Sequence, residues 1–338
     1  MNRHERRKQK ALTHKAQHYI AQGYTRAWCD PGKADRDEPY VWLFDRDGPT
    51  AETPGKRKAP VNIFKEPEMY TITPANDPQS RDLSLEHGLG RIESDFCAVR
   101  RDFIEQAHPL GERERAILLA FAACSQFRTP SFREHTRSQW EPVLDMGREL
   151  EEKMRTATLE QKARARSRVS SDRKNSMTTE QVQQIVDKPL QTMLATHVRV
   201  TVPLLQKMMN LTIICTEKTP GFITSDAPVV WFDPESCKRP PKFQGPALMY
   251  ETIEITMPIS PTRMMFLGRQ NTRWPEYMNL DALDLNELLL NDLNRRTCRH
   301  AREKVVVSCN EFRSIWAVSG EPPPDAWRAI DDDDENTA

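Results

Sequence analysis

Two histidines near the amino terminus have a spacing that could support chemistry. His14 and His18 are four residues apart in the segment from Glu5 to Trp28, which has helical character. On a helix, side chains at this spacing share one face and lie about 6 Å apart. Such a pair can bind one side of a metal ion or act as a general acid and base. The alternative is that both histidines are polar residues on a basic surface.

The loop from Thr224 to Pro228 is the second candidate. Asp226 lies between two predicted strands, and Pro228 restricts the backbone two residues later. This arrangement would hold a carboxylate in a fixed position, with the Ser225 hydroxyl close to neighbouring backbone groups. Serine and aspartate also cap backbone groups in ordinary tight turns, so a purely structural loop is the alternative.

The third candidate is Arg128, which precedes Thr129 and Pro130 at the end of a strongly apolar predicted helix. Together with Arg133 it could clamp an anion. An arginine at this position can instead satisfy the last helical carbonyl groups and interact favourably with the helix dipole. Both interpretations remain open at the level of the sequence.

Two glutamates, Glu86 and Glu93, are seven residues apart on another predicted helix and therefore share one face. Paired carboxylates can hold a metal ion or carry out acid–base catalysis, although solvated glutamates are far commoner. His197 falls on an apolar stripe, which favours a position in the core. Asn294 and Arg295 fit a packing role and a polar-site role equally well.

Several catalytic signatures are absent from the sequence. It contains no P-loop, no dinucleotide-binding glycine motif, no nucleophile-elbow serine motif and no His-Glu-x-x-His motif. The seven cysteines are odd in number and include no Cys-x-x-Cys pair, which argues against a disulfide framework and a structural zinc site. We expect free thiols in a reducing compartment.

Charge and hydropathy exclude further classes. The 338 residues contain 49 Lys and Arg and 49 Asp and Glu, so the net charge gives no whole-molecule attraction to nucleic acid or membrane. No apolar run approaches the ~20 residues that span a bilayer, and no apolar segment follows the basic amino terminus. We therefore expect a cytoplasmic protein that makes no use of a membrane. Residues 1–13 are expected to be a flexible basic arm, and residues 320–338 a disordered Pro-rich and acidic tail.

The candidate residues must be positioned by helices and strands, and the order of these predicted elements along the chain indicates an α+β fold. Strands from Val41 to Asp45 and from Pro60 to Phe64 predict a small amino-terminal β-hairpin. Helical periodicity dominates the middle of the chain to about residue 209, and short strands dominate residues 211–310, which suits a mostly antiparallel sheet. Helices are predicted at 83–107, 112–128, 178–187, 190–209 and 283–303, and strands at 211–216, 222–224, 229–232, 251–257, 263–267 and 305–308.

The order of several short motifs resembles a bacterial family, domain of unknown function 4238 (DUF4238). The similar pieces include His18-Tyr19-Ile20, Phe127-Arg128-Thr129-Pro130, Thr224-Ser225-Asp226-Ala227-Pro228 and Leu293-Asn294-Arg295. The resemblance implies one continuous domain over residues 14–310. The family usually has paired histidines before the tyrosine and an asparagine between the aspartate and the proline. This chain has Gln17 and Ala227 at those positions.

Two functions are compatible with these residues. The first is a phosphodiester-directed, nuclease-like hydrolase in which His18, Arg128 and Asp226 form a catalytic cluster. The histidine would be the general acid and base, and the arginine would stabilise the phosphate. Carboxylates would hold a divalent ion such as Mg²⁺ or Mn²⁺ or would orient the histidine. The second function is a non-catalytic binding or regulatory protein in which the same residues are structural.

Supporting roles in the hydrolase are predicted for Glu93, Thr224, Ser225 and Asn294. The metal-ligand candidates are Asp226, Glu93 and His18. The basic arm is a candidate contact for nucleic acid. The sequence predicts neither the particular substrate nor the oligomeric state.

Overall fold

The computed structural model describes residues 16–29, 39–73, 80–168, 177–270 and 274–317. His14, the basic arm at residues 1–13 and the Pro-rich, acidic tail at residues 320–338 lie outside these ranges. The predicted α+β class is confirmed, because helices from the middle of the chain share a core with sheets built largely from the C-terminal half.

The described residues form eight α-helices, five of which begin and end close to the positions that apolar periodicity predicts. They are α1 (Gln22–Thr25), α2 (Ser84–Val99), α3 (Glu112–Phe127), α4 (Pro130–Thr156), α5 (Leu159–Arg168), α6 (Thr179–Asp187), α7 (Pro189–Met208) and α8 (Asn286–His300). A π-helical turn, Arg100–Ile104, continues α2. Thr129 caps α4, since its side chain accepts a hydrogen bond from the Phe132 N–H at 3.2 Å. Among the described residues, no helix has both the length and the apolar character needed to cross a bilayer.

The strands form three sheets. They are β1 (Ala16–His18), β2 (Val41–Asp45), β3 (Lys56–Lys58), β4 (Lys65–Pro67), β5 (Met209–Cys215), β6 (Thr224–Ser225), β7 (Val230–Phe232), β8 (Glu254–Ser260), β9 (Arg263–Arg269), β10 (Tyr277–Asn279) and β11 (Lys304–Val307). The orders are β1-β4, β10-β5-β9-β8-β7 and β3-β2-β11-β6. Every pairing is antiparallel except that of β10 with β5.

The helical prediction for residues 5–28 is wrong over the first described residues. Ala16–His18 is a strand that pairs with Lys65–Pro67, and helix is confined to α1 and a 3-10 turn, Arg26–Trp28. Pairing with a distant strand overrides the local helical propensity. The proposed helix face shared by His14 and His18 is therefore wrong, because His18 lies on a strand.

The small amino-terminal β-hairpin is confirmed, but its second strand is not the predicted one. Pro60–Asn62 forms a 3-10 turn, and β2 pairs instead with Lys56–Lys58 and with β11. The predicted end of the helix at residue 128 is confirmed, since α3 ends at Phe127. Pro130 is the first residue of α4, where its missing N–H costs nothing.

The main core joins the two predicted parts of the chain. The rings of Phe96 on α2 and Phe121 on α3 stack with centroids 3.7 Å apart. They belong to the same buried cluster as Ile213 on β5 and Met257 on β8. The helices that carry Arg128, Glu86 and Glu93 are therefore fixed to the five-stranded sheet.

Candidate functional site

Arg128 ends α3 with a buried guanidinium group. Its side chain is 1% exposed, and its Nη1 donates to Oε1 of Glu93 at 2.5 Å. Its Nε and Nη2 are also buried, but no described residue accepts a hydrogen bond from either atom. These two nitrogens form one edge of the planar guanidinium fork, and that edge matches the two oxygens of a carboxylate or a phosphate. This edge is therefore the part of Arg128 that a bidentate oxyanion would contact while Nη1 stays on Glu93.

Glu86 and Glu93 both lie on α2, as predicted, and the charge of Glu93 acts on Glu86. Burial and then the negative charge of Glu93 raise the pKa of the Glu86 carboxyl, while Arg128 opposes the shift. Tyr70 adjoins the same group, and its hydroxyl donates to the Arg128 carbonyl oxygen at 3.2 Å. Burial raises the pKa of Tyr70 well above its usual value. Because of this burial, Tyr70 stays a neutral hydrogen-bond donor.

Gln17, the residue before His18, fastens β1 to the turn at residues 68–71. It is 2% exposed. Its Oε1 accepts from the Tyr70 N–H at 2.6 Å, and its Nε2 donates to Oγ1 of Thr71 at 3.1 Å. The amide therefore uses both of its polar ends in fixed hydrogen bonds. Gln17 consequently has a positioning role at the edge of the Arg128 cluster.

His18 is half-buried on β1, opposite Lys65 of β4. The next residue, Tyr19, packs against Phe64 with ring centroids 5.8 Å apart. The pKa of Tyr19 is raised chiefly by burial and then by the charge of Asp226. The Tyr19 hydroxyl therefore lies within electrostatic range of the loop that carries Asp226.

Asp226 is 4% exposed and holds the turn between α8 and β11. Its Oδ1 accepts from the Arg302 N–H at 2.8 Å, and its Oδ2 accepts from the N–H groups of Glu303 and Lys304 at 2.8 and 2.9 Å. Burial raises the pKa of this carboxyl to about 6, although the three N–H groups oppose the shift. That pKa suits proton transfer near neutral pH. Both oxygens are, however, already committed to backbone donors.

The neighbours of Asp226 fasten the same loop to other parts of the chain. Thr224 Oγ1 lies 2.6 Å from the hydroxyl of Tyr24, which also donates to the carbonyl of Pro258 at 2.8 Å. Ser225 Oγ accepts from the Ala227 N–H at 3.1 Å, which is the local turn bond that the sequence allowed. The two hydroxyls therefore have structural partners.

Asn294 of α8 binds the backbone of the segment that precedes this loop. Its Oδ1 accepts from the Ile223 N–H at 3.1 Å, and its Nδ2 donates to the Gly221 carbonyl at 2.8 Å. Its side chain is completely buried. Asn294 is therefore a clamp on the segment before β6.

The predicted residues thus fall into two neighbouring groups. Glu93 and Arg128 contact each other, whereas Asp226 binds the turn before β11, and its charge acts on Tyr19, the residue after His18. The structure records no direct contact between Arg128 and Asp226. Within the described ranges, no three His, Cys, Asp or Glu side chains converge as metal ligands, so Asp226, Glu93 and His18 form no such set.

Sequence reasoning missed the ion pairs around these groups. Arg133, named as a clamp partner of Arg128, binds Glu66 of β4 instead. Arg302 reaches Glu134 of α4 at 3.0 Å. These pairs connect segments far apart in sequence, so no spacing within one element could have revealed them.

Fold and site together define an α+β protein with a buried arginine paired to a half-buried glutamate and a loop held by an aspartate. The chain belongs to the family described as "Protein of unknown function (DUF4238)", whose model matches residues 16–311. No curated protein matches the chain. No solved structure matches it either.

Proposed function

We propose that this protein is a phosphodiester-directed hydrolase of the nuclease type, in which Arg128 binds the phosphate of the substrate. One observation carries the proposal: the buried Nε and Nη2 edge of Arg128, which no described residue occupies. Buried donors are nearly always satisfied, so two adjacent buried donors without an acceptor call for an explanation. A phosphate fits it because two parallel N–H bonds meet two oxygens of one group.

The proposal assigns a role to each of the other predicted residues. His18 would accept a proton from the attacking water as the new P–O bond forms. It would return that proton to the leaving oxygen as the ester P–O bond breaks. Arg128 would stabilise the charge on the phosphate oxygens. Asp226 is assigned a positioning role, since its oxygens bind the N–H groups of residues 302–304. No step passes through a metal ion, because the described candidates do not form a ligand set.

The proposed substrate is a nucleic acid, and the basic arm at residues 1–13 would provide a further contact with its phosphates. Five Arg and Lys residues lie within residues 1–13. Each phosphate that such residues neutralise makes binding weaker at higher salt. Deletion of residues 1–13 should therefore lower RNA affinity and flatten its salt dependence.

All seven cysteines are free, which fits the proposed cytoplasmic location.

The test is cleavage of labelled RNA and single-stranded DNA by the full-length protein, with and without Mg²⁺ or Mn²⁺. Arg128→Lys keeps the positive charge but removes the fork. We expect it to lower cleavage by about 100-fold, the usual loss for one transition-state donor. Arg115→Lys is the matched control, because Arg115 lies on α3 as well but binds Glu276. Absence of cleavage by the wild type, or equal cleavage by Arg128→Lys, would contradict the proposal.

A second candidate is a non-catalytic binding or regulatory protein, and the bonding of Asp226 favours it. A carboxylate with three backbone donors is sufficiently explained by the turn that it holds. In that case the wild type should cleave neither nucleic acid, and Asp226→Ala should lower the melting temperature without removing an activity. The cleavage assay and thermal denaturation together separate the two candidates.

A further inference from the structure

A groove separate from the guanidinium of Arg128 opens between α2 and α7. It has a volume of about 480 Å³, and its walls include Ile72, Leu85, Leu89, Ile92, Leu194 and Val198. Along α7 it extends from Gln191 to Arg199. Eight helical steps correspond to a length of about 12 Å. The volume is within the range of about 300–1,000 Å³ that is typical of small-molecule sites.

The groove is the open side of a packed core. Leu89, Cys124 and Leu194 are 5%, 3% and 1% exposed and belong to one buried cluster. Leu85, Ile92 and Val198 pack against that cluster but stay partly exposed. A ligand in the groove would therefore contact side chains that the core already holds in place.

Gly88 lies within α2 on the lining of the groove. A Cβ atom added there would meet no heavy atom within 4 Å. Packing therefore does not require glycine at this position, although glycine weakens a helix relative to alanine. Gly90 on the same helix also has open space around it but does not line the groove. The pair offers a way to fill the groove and a matched control.

Arg199 gives the groove a charged end. It is exposed, and no described carboxylate lies within ion-pair distance of it. The rest of the lining is mostly apolar and offers few hydrogen-bonding groups. An apolar chain needs no such partners, whereas an extended peptide would bury backbone groups without any. The charge of Arg199 selects an anionic head group.

We propose that the groove binds a free fatty carboxylate, with the aliphatic chain between α2 and α7 and the carboxylate at Arg199. This site goes beyond the proposed hydrolase and does not depend on it. Burial of methylene groups supplies the affinity for the chain. The exposed ion pair with Arg199 adds a smaller increment and selects the charge of the head group.

The test is calorimetric titration of the full-length protein with decanoate and with decanol. We expect saturable binding of decanoate by the wild type. Gly88→Leu should weaken both ligands by about tenfold or more, because the added side chain takes the place of several methylene groups. Gly90→Leu should bind as the wild type does. Arg199→Gln should weaken decanoate by about two- to fivefold and leave decanol unchanged, as expected for an exposed ion pair.

Three results would overturn the proposal. They are no saturable decanoate binding by the wild type, equal binding by Gly88→Leu, or a wild-type dimer that Gly88→Leu dissociates in sedimentation. The last result would make the groove an interface between copies of this chain. Arg128→Lys should bind decanoate normally, so failure of the proposed hydrolase and failure of the groove can be distinguished.

Discussion

Two opposing effects act on Asp226 at the scale of the single residue. Removal from water favours the protonated carboxyl, and three backbone N–H groups favour the carboxylate. Burial prevails, and it raises the pKa from 3.8 to about 6. The folded state therefore holds its proton more tightly than the unfolded chain does.

The pKa of Asp226 predicts how its contribution to stability depends on pH. A group whose folded pKa is raised stabilises the protein fully below the unfolded value and loses that contribution as pH rises through the folded value. Relative to Asp226→Asn, the free energy of unfolding of the wild type should fall between pH 4 and pH 6. The fall should approach about 3 kcal/mol, since one pKa unit corresponds to about 1.4 kcal/mol. Urea denaturation across this range measures it. A difference that grows with pH would mean that the N–H groups prevail over burial.

Tyr24 joins the amino-terminal segment to two strands through one hydroxyl. That hydroxyl contacts Thr224 at 2.6 Å and Pro258 at 2.8 Å inside the core. Tyr24→Phe should lower the free energy of unfolding by about 1–3 kcal/mol, because buried polar atoms lose their partner. Tyr277→Phe is the control, since the hydroxyl of Tyr277 makes one exposed bond to His108. Equal losses in the two variants would contradict the role given to Tyr24.

At the scale of elements, Asn294 couples α8 to the segment before β6. It donates to Gly221 and accepts from Ile223, so both ends of its amide are needed. Asn294→Asp replaces the donor by an oxygen that faces the Gly221 carbonyl in a fully buried place. We expect a loss of roughly 3 kcal/mol or more in the free energy of unfolding, because a buried charge is left without its partner. Chemical denaturation measures this loss. Asn210→Asp is the control, because Asn210 donates to Gln270 at an exposed position, and a comparable loss there would argue against the clamp.

Elements with strong internal patterns could be predicted from the sequence. Leu89, Phe96 and Val99 recur on one helical face, and they are the residues that α2 buries. Ala16–His18 has no such pattern, because its extended form depends on pairing with Lys65–Pro67. A three-residue strand contains too few residues for alternation to be visible. The amino-terminal strand could therefore not be predicted locally.

The candidate residues could be predicted only by type and position. Arg128 and Asp226 were conspicuous because a charged residue ended an apolar helix or followed a strand. Their partners, Glu93 and residues 302–304, lie 35 and 76–78 positions away. Contacts of this range depend on the tertiary fold, so the sequence could not distinguish a saturated carboxylate from an available one.

At the scale of the whole molecule, the core argues for one domain. The helical middle and the C-terminal sheets contribute to the same buried cluster, in which Phe121 lies with Ile213 and Met257. Trp28 adds a further tie, because its Nε1 donates to the Phe222 carbonyl at 2.8 Å. We propose that residues 14–310 form a single folding unit on this basis.

A shared core predicts that the helices and the sheets unfold together. In urea, the far-ultraviolet circular dichroism and the tryptophan fluorescence should give coincident transitions, because neither part keeps a complete core without the other. Chains longer than about 150 residues often populate intermediates, so coincident transitions would distinguish this protein from many chains of its length. Leu118→Ala on α3 should shift both transitions equally, since Leu118 is fully buried in that core. A fluorescence transition that precedes the loss of helix, or a shift of only one signal, would instead indicate that the helical middle is a separate domain.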